Sequence, residues 1–309
     1  MASPVLHIKD GYFFEVPKAL WRRHYTSLDQ VPRFLREAHP HETVAEFNKA
    51  LSGKILIPQP FATLKNLYEV KSGVGISKFM ILEALIVLLL VFVFKKYGEK
   101  IRNGQPPRGK FWNMLDAFLL YLRDSVARRA IGEHDADKFV PLLWTIFFFI
   151  LTCNLFGMLP WLGAPTGSFG ATFGLAFVIF GTGLIFGMQK FGVVGFWFNQ
   201  VPHMDLPLLL RPLKIMIFAI EILGMVIRHA VLAIRLLANM VAGHLVLLGF
   251  LGIIVAAAAA SHGIWLTATA ISLVGSTLFS ILELFVAFLQ AYVFTFLAAL
   301  FIGAAVHHH

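Results

Sequence analysis

The chain has 309 residues, of which 58% are hydrophobic and 14% charged, with a mean hydropathy of +0.75 and a formal net charge of +9. Soluble domains carry about 25% charged residues, so this composition excludes an ordinary soluble protein and indicates lipid as the solvent. The positive charge does not indicate nucleic-acid binding, because residues 139–309 contain only eight Asp, Glu, Lys or Arg, and membrane-topology rules explain the basic remainder.

The first 75 residues are polar and contain Pro-rich patches, and charged residues interrupt every apolar run in the first 30. We therefore recognise no secretory h-region there. The pattern predicts an extramembranous N-terminal extension over 1–75 and a membrane domain over 76–306.

Five apolar stretches are long enough to cross a bilayer core of about 30 Å. They cover, approximately, 76–94, 139–160, 171–189, 207–256 and 263–306. The first keeps one acid, Glu83, near its start, and Cys153 in the second is expected to be a small buried hydrophobic residue. The predicted fold is an all-α integral membrane protein with about five membrane-inserted helices and an amphipathic surface helix.

The surface helix is predicted within the polar segment 95–138, which holds ten Lys or Arg residues. Because Lys and Arg near span ends favour the cytoplasmic side, we place this segment in the cytoplasm, the amino terminus outside and the carboxyl terminus inside. Residues 111–131 have the helical amphipathic spacing of a helix that lies on the membrane surface.

The last two stretches are longer than a perpendicular span requires. A helix over 207–256 would be about 75 Å long, more than twice the thickness of the hydrocarbon core. Such a helix must tilt, bend or break. We expect 207–256 and 263–306 to form a strongly tilted hairpin.

Charged residues recur every seven positions in the fourth stretch and so share one helix face: Lys214, Glu221, Arg228 and Arg235. A long, mostly apolar run follows Arg235, so its guanidinium cannot reach the membrane boundary easily. An unpaired guanidinium at that depth costs at least a few kcal/mol, and arginine cannot become neutral by losing a proton. We expect an anionic group to face Arg235.

The fifth stretch carries a second stripe with the same spacing: Thr269, Ser276, Glu283 and Gln290. In the fourth stretch, Asn239 follows Arg235 by four residues and His244 follows it by nine. Histidine exchanges a proton readily near neutral pH, so His244 and the carboxyl of Glu283 on facing helices predict a proton relay. The alternative is a fixed intramembrane salt-bridge network without transport, in which Glu221 and Arg228 neutralise each other, and Thr269 and Ser276 serve helix packing.

Three segments carry a family resemblance. AIRLLANMVAGHL (233–245) resembles the signature helix of ATP synthase subunit a, in which an Arg is followed by an Asn four residues later and an acid or His nine later. ELFVAFLQAYVFTFL (283–297) resembles the family's last helix, and residues 127–160, including Asn154, resemble the entry into its second span. The resemblance covers about residues 75–306.

The resemblance implies a proton-translocating stator subunit of a rotary F-type ATP synthase, with two offset half-channels. Arg235 would be the essential arginine that faces the carboxylates of the c-ring. The entry half-channel would be lined by Asn239, His244, Glu283 and Gln290. The exit side and secondary polar positions would be Glu221, Arg228 and Ser276. We expect Asn239 and Leu236 to lie next to the ring.

The implied partners are the c-ring proteolipids, the peripheral-stalk b subunits, the remaining ATP synthase subunits and membrane lipid, without nucleic acid. No cofactor, metal or catalytic residue is expected in this chain, and ATP chemistry would reside in partner chains. The long extension at 1–75 favours the bacterial inner membrane, with the mitochondrial inner membrane as the alternative.

Two other functions are compatible with charged residues inside a membrane. A secondary ion-coupled transporter should show internal repeats and broken helices around a substrate pocket, and no repeat is recognised in this sequence. A purely structural membrane anchor predicts that the buried charges are dispensable.

Overall fold

The computed structural model describes residues 10–102, 104, 106–159, 162–199, 211–259 and 261–306. The side chains of 198–199 and 211–214 are not described, so that of Lys214 and the first residues of the predicted stretch 207–256 lie outside the described part. The described chain is predominantly helical, which confirms the all-α fold class.

Residues of the N-terminal extension form two small antiparallel sheets and two short helices. Strand β1 (Phe13–Glu15) pairs with β2 (Lys54–Leu56), and β3 (Ala62–Leu64) pairs with β4 (Val70–Gly73). The helices are α1 (Arg33–Ala38) and α2 (Val44–Leu51). Their buried core consists of Val31, Leu35, Phe47 and Leu51. The division at residues 75 and 76 stays a prediction.

Hydrogen bonds join this extension to the first turn of helix α3 (Lys78–Ile101). The Asp10 carboxylate accepts from the backbone N–H groups of Gly11 and Phe79, at 2.9 and 3.4 Å. The N–H of Lys78 donates to the carbonyl of Gly11 at 2.9 Å. Asp10 therefore supplies an acceptor for an N–H group that the helix itself cannot satisfy.

The amphipathic segment is helical, as predicted. Helix α4 (Lys110–Tyr121) continues through a π-helical segment (Leu122–Ala127) into α5 (Arg128–Ile131). Its buried face includes Leu115, Leu119, Leu122, Val126 and Ile131. The π-helical segment and α5 pack against the following helix, α6, by this face. Placement on the membrane surface stays a prediction.

Within the described residues, four helices are long and apolar enough to cross a membrane. They are α6 (Ala136–Gly157), α7 (Phe169–Phe191), α9 (Arg211–Ala257, apolar from Ile215) and α10 (His262–Val306). A short helix, α8 (Val193–Asn199), follows α7.

Helix α3 covers the first predicted stretch but differs from these four in charge. Each 18-residue window within it contains at least three charged residues, because Glu83 lies inside the apolar run and Lys95 and Lys96 follow it closely. The prediction of five spans is therefore confirmed for four of them by length and composition, and for α3 it stays a prediction.

An ionic cluster fixes the start of α6 against the end of α7. The Asp135 carboxylate accepts from Lys190 Nζ at 2.9 Å and from Lys138 Nζ at 3.2 Å. These two hydrogen bonds hold the pKa of Asp135 down to about 2. The carboxylate therefore stays ionised throughout the physiological range and keeps both contacts.

Helices α9 and α10 form the predicted long hairpin, with 47 and 45 residues. At roughly 1.5 Å per residue each exceeds 65 Å, about twice the hydrocarbon core. Helix α10 packs on α6, α7 and α9, and Gly303 lets it cross α5 closely, since a Cβ there would overlap the carbonyl oxygen of Ala130. The length of the hairpin supports the expected tilt, which stays a prediction.

Candidate functional site

Arg235 lies on the side of α9 that the rest of the chain leaves open. Its neighbours in sequence, Leu232, Ala233 and Leu236, are fully buried in the chain, where α9 packs on α7 and α10, whereas Arg235 itself is exposed. Among the residues that the structure describes, no carboxylate forms an ion pair with Arg235. The expectation that Leu236 faces a ring was wrong, because its side chain belongs to the hydrophobic core.

Glu221 and Arg228 form an ion pair on α9, with 2.5 Å between Oε1 and Nη2. The two side chains are partly exposed, which places the pair at the surface of the hairpin. Two of the predicted charges therefore neutralise each other, as the alternative interpretation allowed, and Arg235 is left uncompensated.

His244 and Glu283 are neighbours across the hairpin, as the sequence predicted. The distance between His244 Nδ1 and Glu283 Oε1 is 3.8 Å, and Glu283 is only 7% exposed. Gly243 makes room for the carboxyl group, because a Cβ at that position would overlap Glu283 Oε1. Neither carboxyl oxygen has a hydrogen-bond donor among the described residues.

Both ring nitrogens of His244 contact backbone carbonyl oxygens. Nδ1 lies 3.0 Å from the carbonyl of Met240 in its own helix, and Nε2 lies 3.0 Å from the carbonyl of Gly157 at the end of α6. A neutral imidazole can donate to only one of these acceptors, whereas an imidazolium donates to both. The buried carboxyl of Glu283 also lies close to the ring.

A hydrogen-bonded pair, Asn154 and Thr166, links the C-terminal end of α6 to the same part of α10. Thr166 Oγ1 donates to Asn154 Oδ1 at 2.8 Å, and Asn154 Nδ2 donates to the carbonyl of Ala287 at 3.3 Å. Ala287 lies one helical turn after Glu283. The family resemblance includes Asn154, whereas the sequence did not predict Thr166, since a hydroxyl in an uncharged turn carries no distinguishing signal.

The other predicted residues differ in how they are placed. Gln290 is buried, and its Nε2 has no hydrogen-bond partner among the described residues, while Asn239 is half-buried. Ser276 donates to the carbonyl of Leu273 in its own helix, so the structure gives it a local bond and does not bring it to the His244–Glu283 pair.

Gly243 provides a direct test of whether the position of Glu283 matters. We expect Gly243→Ala to displace the carboxyl group and to reduce proton flux roughly tenfold or more, within the contribution of a positioned proton-transfer group. The matched control is Gly249→Ala on the same helix, where a Cβ would meet nothing within 4 Å. Flux through reconstituted complex is the measurement, and equal flux in the two variants would contradict the expectation.

Comparisons with known proteins concern the family to which the chain belongs. The sequence model of the family described as ATP synthase A chain matches residues 78–303. The chain is similar to ATP synthase subunit a of Anaeromyxobacter sp. strain Fw109-5, with 33% identity over 98% of this chain and 70% of the relative. It is also similar to ATP synthase subunit a of Myxococcus xanthus strain DK1622, with 36% identity over 76% of this chain and 75% of the relative. For ATP synthase subunit a of Anaeromyxobacter dehalogenans strain 2CP-1, the identity is 40% over 66% of this chain and 50% of the relative.

Proposed function

Because the chain belongs to the ATP synthase A chain family, we propose that it carries protons past a rotating ring of c subunits, with Arg235 as the fixed charge that the ring carboxylates meet. Family membership makes it a multi-pass membrane subunit of the F-type ATP synthase, which couples proton transport to ATP synthesis. The role of Arg235 and the half-channels are our proposal.

The observation that carries the proposal is the isolated guanidinium of Arg235 on an open face. Glu221 and Arg228 pair with each other, so Arg235 is the charge of this stripe for which the described chain supplies no partner. Helices α9 and α10 leave large apolar side chains uncovered, including Val231, Ile234, Leu278, Ile281 and Phe285. A partner surface that is apolar and carries carboxylates would both cover these side chains and neutralise the charge of Arg235.

The mechanism follows from the electrostatics of such a contact. Two offset half-channels each reach the middle of the membrane from one side. A ring carboxyl takes up a proton from one and releases it into the other. In between, the positive charge of Arg235 favours the ionised carboxylate and repels a hydrated proton that would cross directly. Since one elementary charge gains about 2.3 kcal/mol per 100 mV, several protons must be coupled to each ATP.

The entrance half-channel is assigned to His244 and Glu283, with Asn239 and Gln290 beside them. A proton that reaches the buried Glu283 carboxyl can pass to the imidazole 3.8 Å away, and from there toward the ring. Glu221 and Arg228 would border the exit side, with Ser276 as a secondary polar residue.

Partners and location follow from the same proposal. The c-ring proteolipids would cover the open face of the hairpin, and the peripheral-stalk b subunits would hold the chain against rotation. Both Anaeromyxobacter relatives and the Myxococcus relative are bacterial, which favours the bacterial inner membrane over the mitochondrial one.

The two other functions have less support. A secondary transporter should contain broken helices around a pocket, whereas α9 and α10 are uninterrupted within the described residues. A purely structural anchor does not explain a cation on an apolar face. Variants of Arg235 distinguish such an anchor from a proton-carrying subunit, because only the latter loses activity.

Cross-linking to the ring tests which face of α9 the ring covers. In a background with Cys153→Ala, we expect Ala238→Cys, three residues after Arg235 on the open face, to form a disulfide with a cysteine one turn from the ring carboxyl. Leu236→Cys, which is buried, and Leu88→Cys, which is exposed on α3, are the matched controls and should not cross-link. Equal yields at all three positions would exclude this orientation.

A further inference from the structure

Glu83 is an acidic residue to which the proposed mechanism assigns no role. It is the only charged residue in the apolar run 79–94, and it lies on the face of α3 that the chain buries, between Phe79 and Ile86. Within the described residues it forms neither a hydrogen bond nor an ion pair. Because a carboxyl group inside a membrane helix is costly, such a residue is a candidate functional group by default.

The buried face of α3 brings Glu83 toward the end of α6 that leads to the relay. Ile86 and Leu90 pack with Cys153 in one apolar cluster, and Glu83 precedes Ile86 by three residues, which places the two on the same face of α3. The next residue along α6 is Asn154, which bonds to the backbone of α10 one turn after Glu283. Glu83 therefore faces the segment of α6 that contacts the relay helix.

The loop between α6 and α7 also packs against the first turn of α3. Gly163 packs against the start of α3, since a Cβ there would lie 2.9 Å from the ring of Phe79 and 3.2 Å from Lys78 Nζ. Three residues later Thr166 donates to Asn154. The first turn of α3, this loop and the end of α6 thus form one packed group that extends to the His244–Glu283 pair.

The other ionisable groups near Glu83 have different surroundings. Asp10 accepts two backbone N–H groups and anchors the extension to α3. Lys78 is 3% exposed, and both Asp10 and Glu15 act on its charge. The Cys153 thiol is buried in the apolar cluster. Glu83 is the carboxyl of this group that is free to bind and release a proton without breaking a hydrogen bond.

We propose that Glu83 is the outer proton-collecting carboxyl of the entrance half-channel, an inference that rests on the proposed function of the chain. In the predicted topology the first turn of α3 lies on the outer side. The Glu83 carboxylate takes a proton from hydronium, and the proton then passes by way of the Asn154–Thr166 region to the carboxylate of Glu283. Only O–H bonds form and break, and Glu83 returns to its ionised state after each transfer.

The test compares Glu83→Gln with its matched control, Glu99→Gln, which removes the same charge near the other end of α3. Purified complex is reconstituted in vesicles, and ATP synthesis is measured at a constant total driving force while the pH on the entrance side is varied. We expect Glu83→Gln to lower the rate roughly tenfold at an entrance-side pH of about 8, where a collecting group matters most. The loss should be small near pH 5.5. At a pH lower by about 2.5 units the hydronium concentration is a few hundred times higher, so direct protonation no longer needs a collecting group.

Rescue and assembly decide between a proton-collecting and a merely structural role. Glu83→Asp should restore the rate at high pH, and Glu99→Gln should match the unmodified chain. Glu83→Ser serves as a second uncharged variant, and rates are normalised to assembled complex. A loss that is equal at all pH values, an undiminished rate in both uncharged variants, or a pH-dependent loss in Asp10→Asn alone would overturn the proposal.

The same preparations separate this inference from the proposed function. If Arg235→Ala is inactive and Glu83→Gln is normal, only the role of Glu83 fails. If Arg235→Ala retains coupled synthesis, the proposed function itself fails, whatever Glu83 does.

Discussion

Replacement of Arg235 by alanine is expected to reduce both ATP-driven proton pumping and proton-driven ATP synthesis to background. The physical reason is that the described chain offers no second uncompensated cation on the open face of α9, since Arg228 is engaged by Glu221. Without a fixed positive charge, a ring carboxylate in the apolar contact has no partner and an entering proton meets no barrier. Inverted membrane vesicles that report acidification and ATP synthesis provide the measurement.

Lysine should not restore function at position 235. An ammonium is more strongly hydrated than a guanidinium and can lose its proton when it is buried. The matched control is Arg228→Lys, in which the new ammonium can still pair with Glu221, so we expect most activity to remain. Immunodetection of the assembled complex excludes a trivial loss of the chain. Coupled synthesis by Arg235→Ala at the unmodified rate would refute the assigned role.

Exchange of the two relay residues is expected to recover function that either single change removes. His244→Glu alone leaves two buried acids close together, and Glu283→His alone leaves two imidazoles without a carboxylate. We expect each to slow proton flux roughly 100-fold, the lower range for a positioned proton-transfer group. The double variant restores one acid and one base at the same contact, and Gly243 still leaves space at position 283.

The double-mutant cycle measures whether the two residues act as a unit. Side chains in contact show coupling energies of about 0.5–3 kcal/mol, whereas independent sites give additive losses. The control pair is His244→Glu with Ser276→Ala, because Ser276 bonds within its own helix and should contribute additively. Additive losses for His244 and Glu283 would show that they do not exchange protons.

The sequence predicted those contacts between side chains that the geometry of a single helix determines. A spacing of seven residues places Glu221 and Arg228 on one face of α9, and their ion pair follows from that spacing. The proximity of His244 and Glu283 could also be predicted, because polar groups on adjacent membrane helices are expected to face each other rather than lipid.

The contacts that depend on three helices could not be predicted in this way. His244 finds its second acceptor at the carbonyl of Gly157, and Asn154 reaches the backbone at Ala287. Backbone carbonyls have no sequence signature, so only the relative positions of α6, α9 and α10 reveal them. The same limit explains the error for Leu236, since proximity to Arg235 along the chain does not determine which neighbouring face is buried.

The ion pair between Glu221 and Arg228 also has a consequence for rotation. Since these two charges cancel, a rotor that moves along the proposed contact meets one uncompensated positive charge among the side chains that the structure describes there, that of Arg235. A ring of identical subunits then has one electrostatic minimum for each carboxylate, all of equal depth, with no second minimum between them. A stator surface with two separate cations would add energy minima at intermediate angles of the ring. Because Glu221 neutralises Arg228, the proposed contact has the same electrostatic energy profile at each step of a full turn.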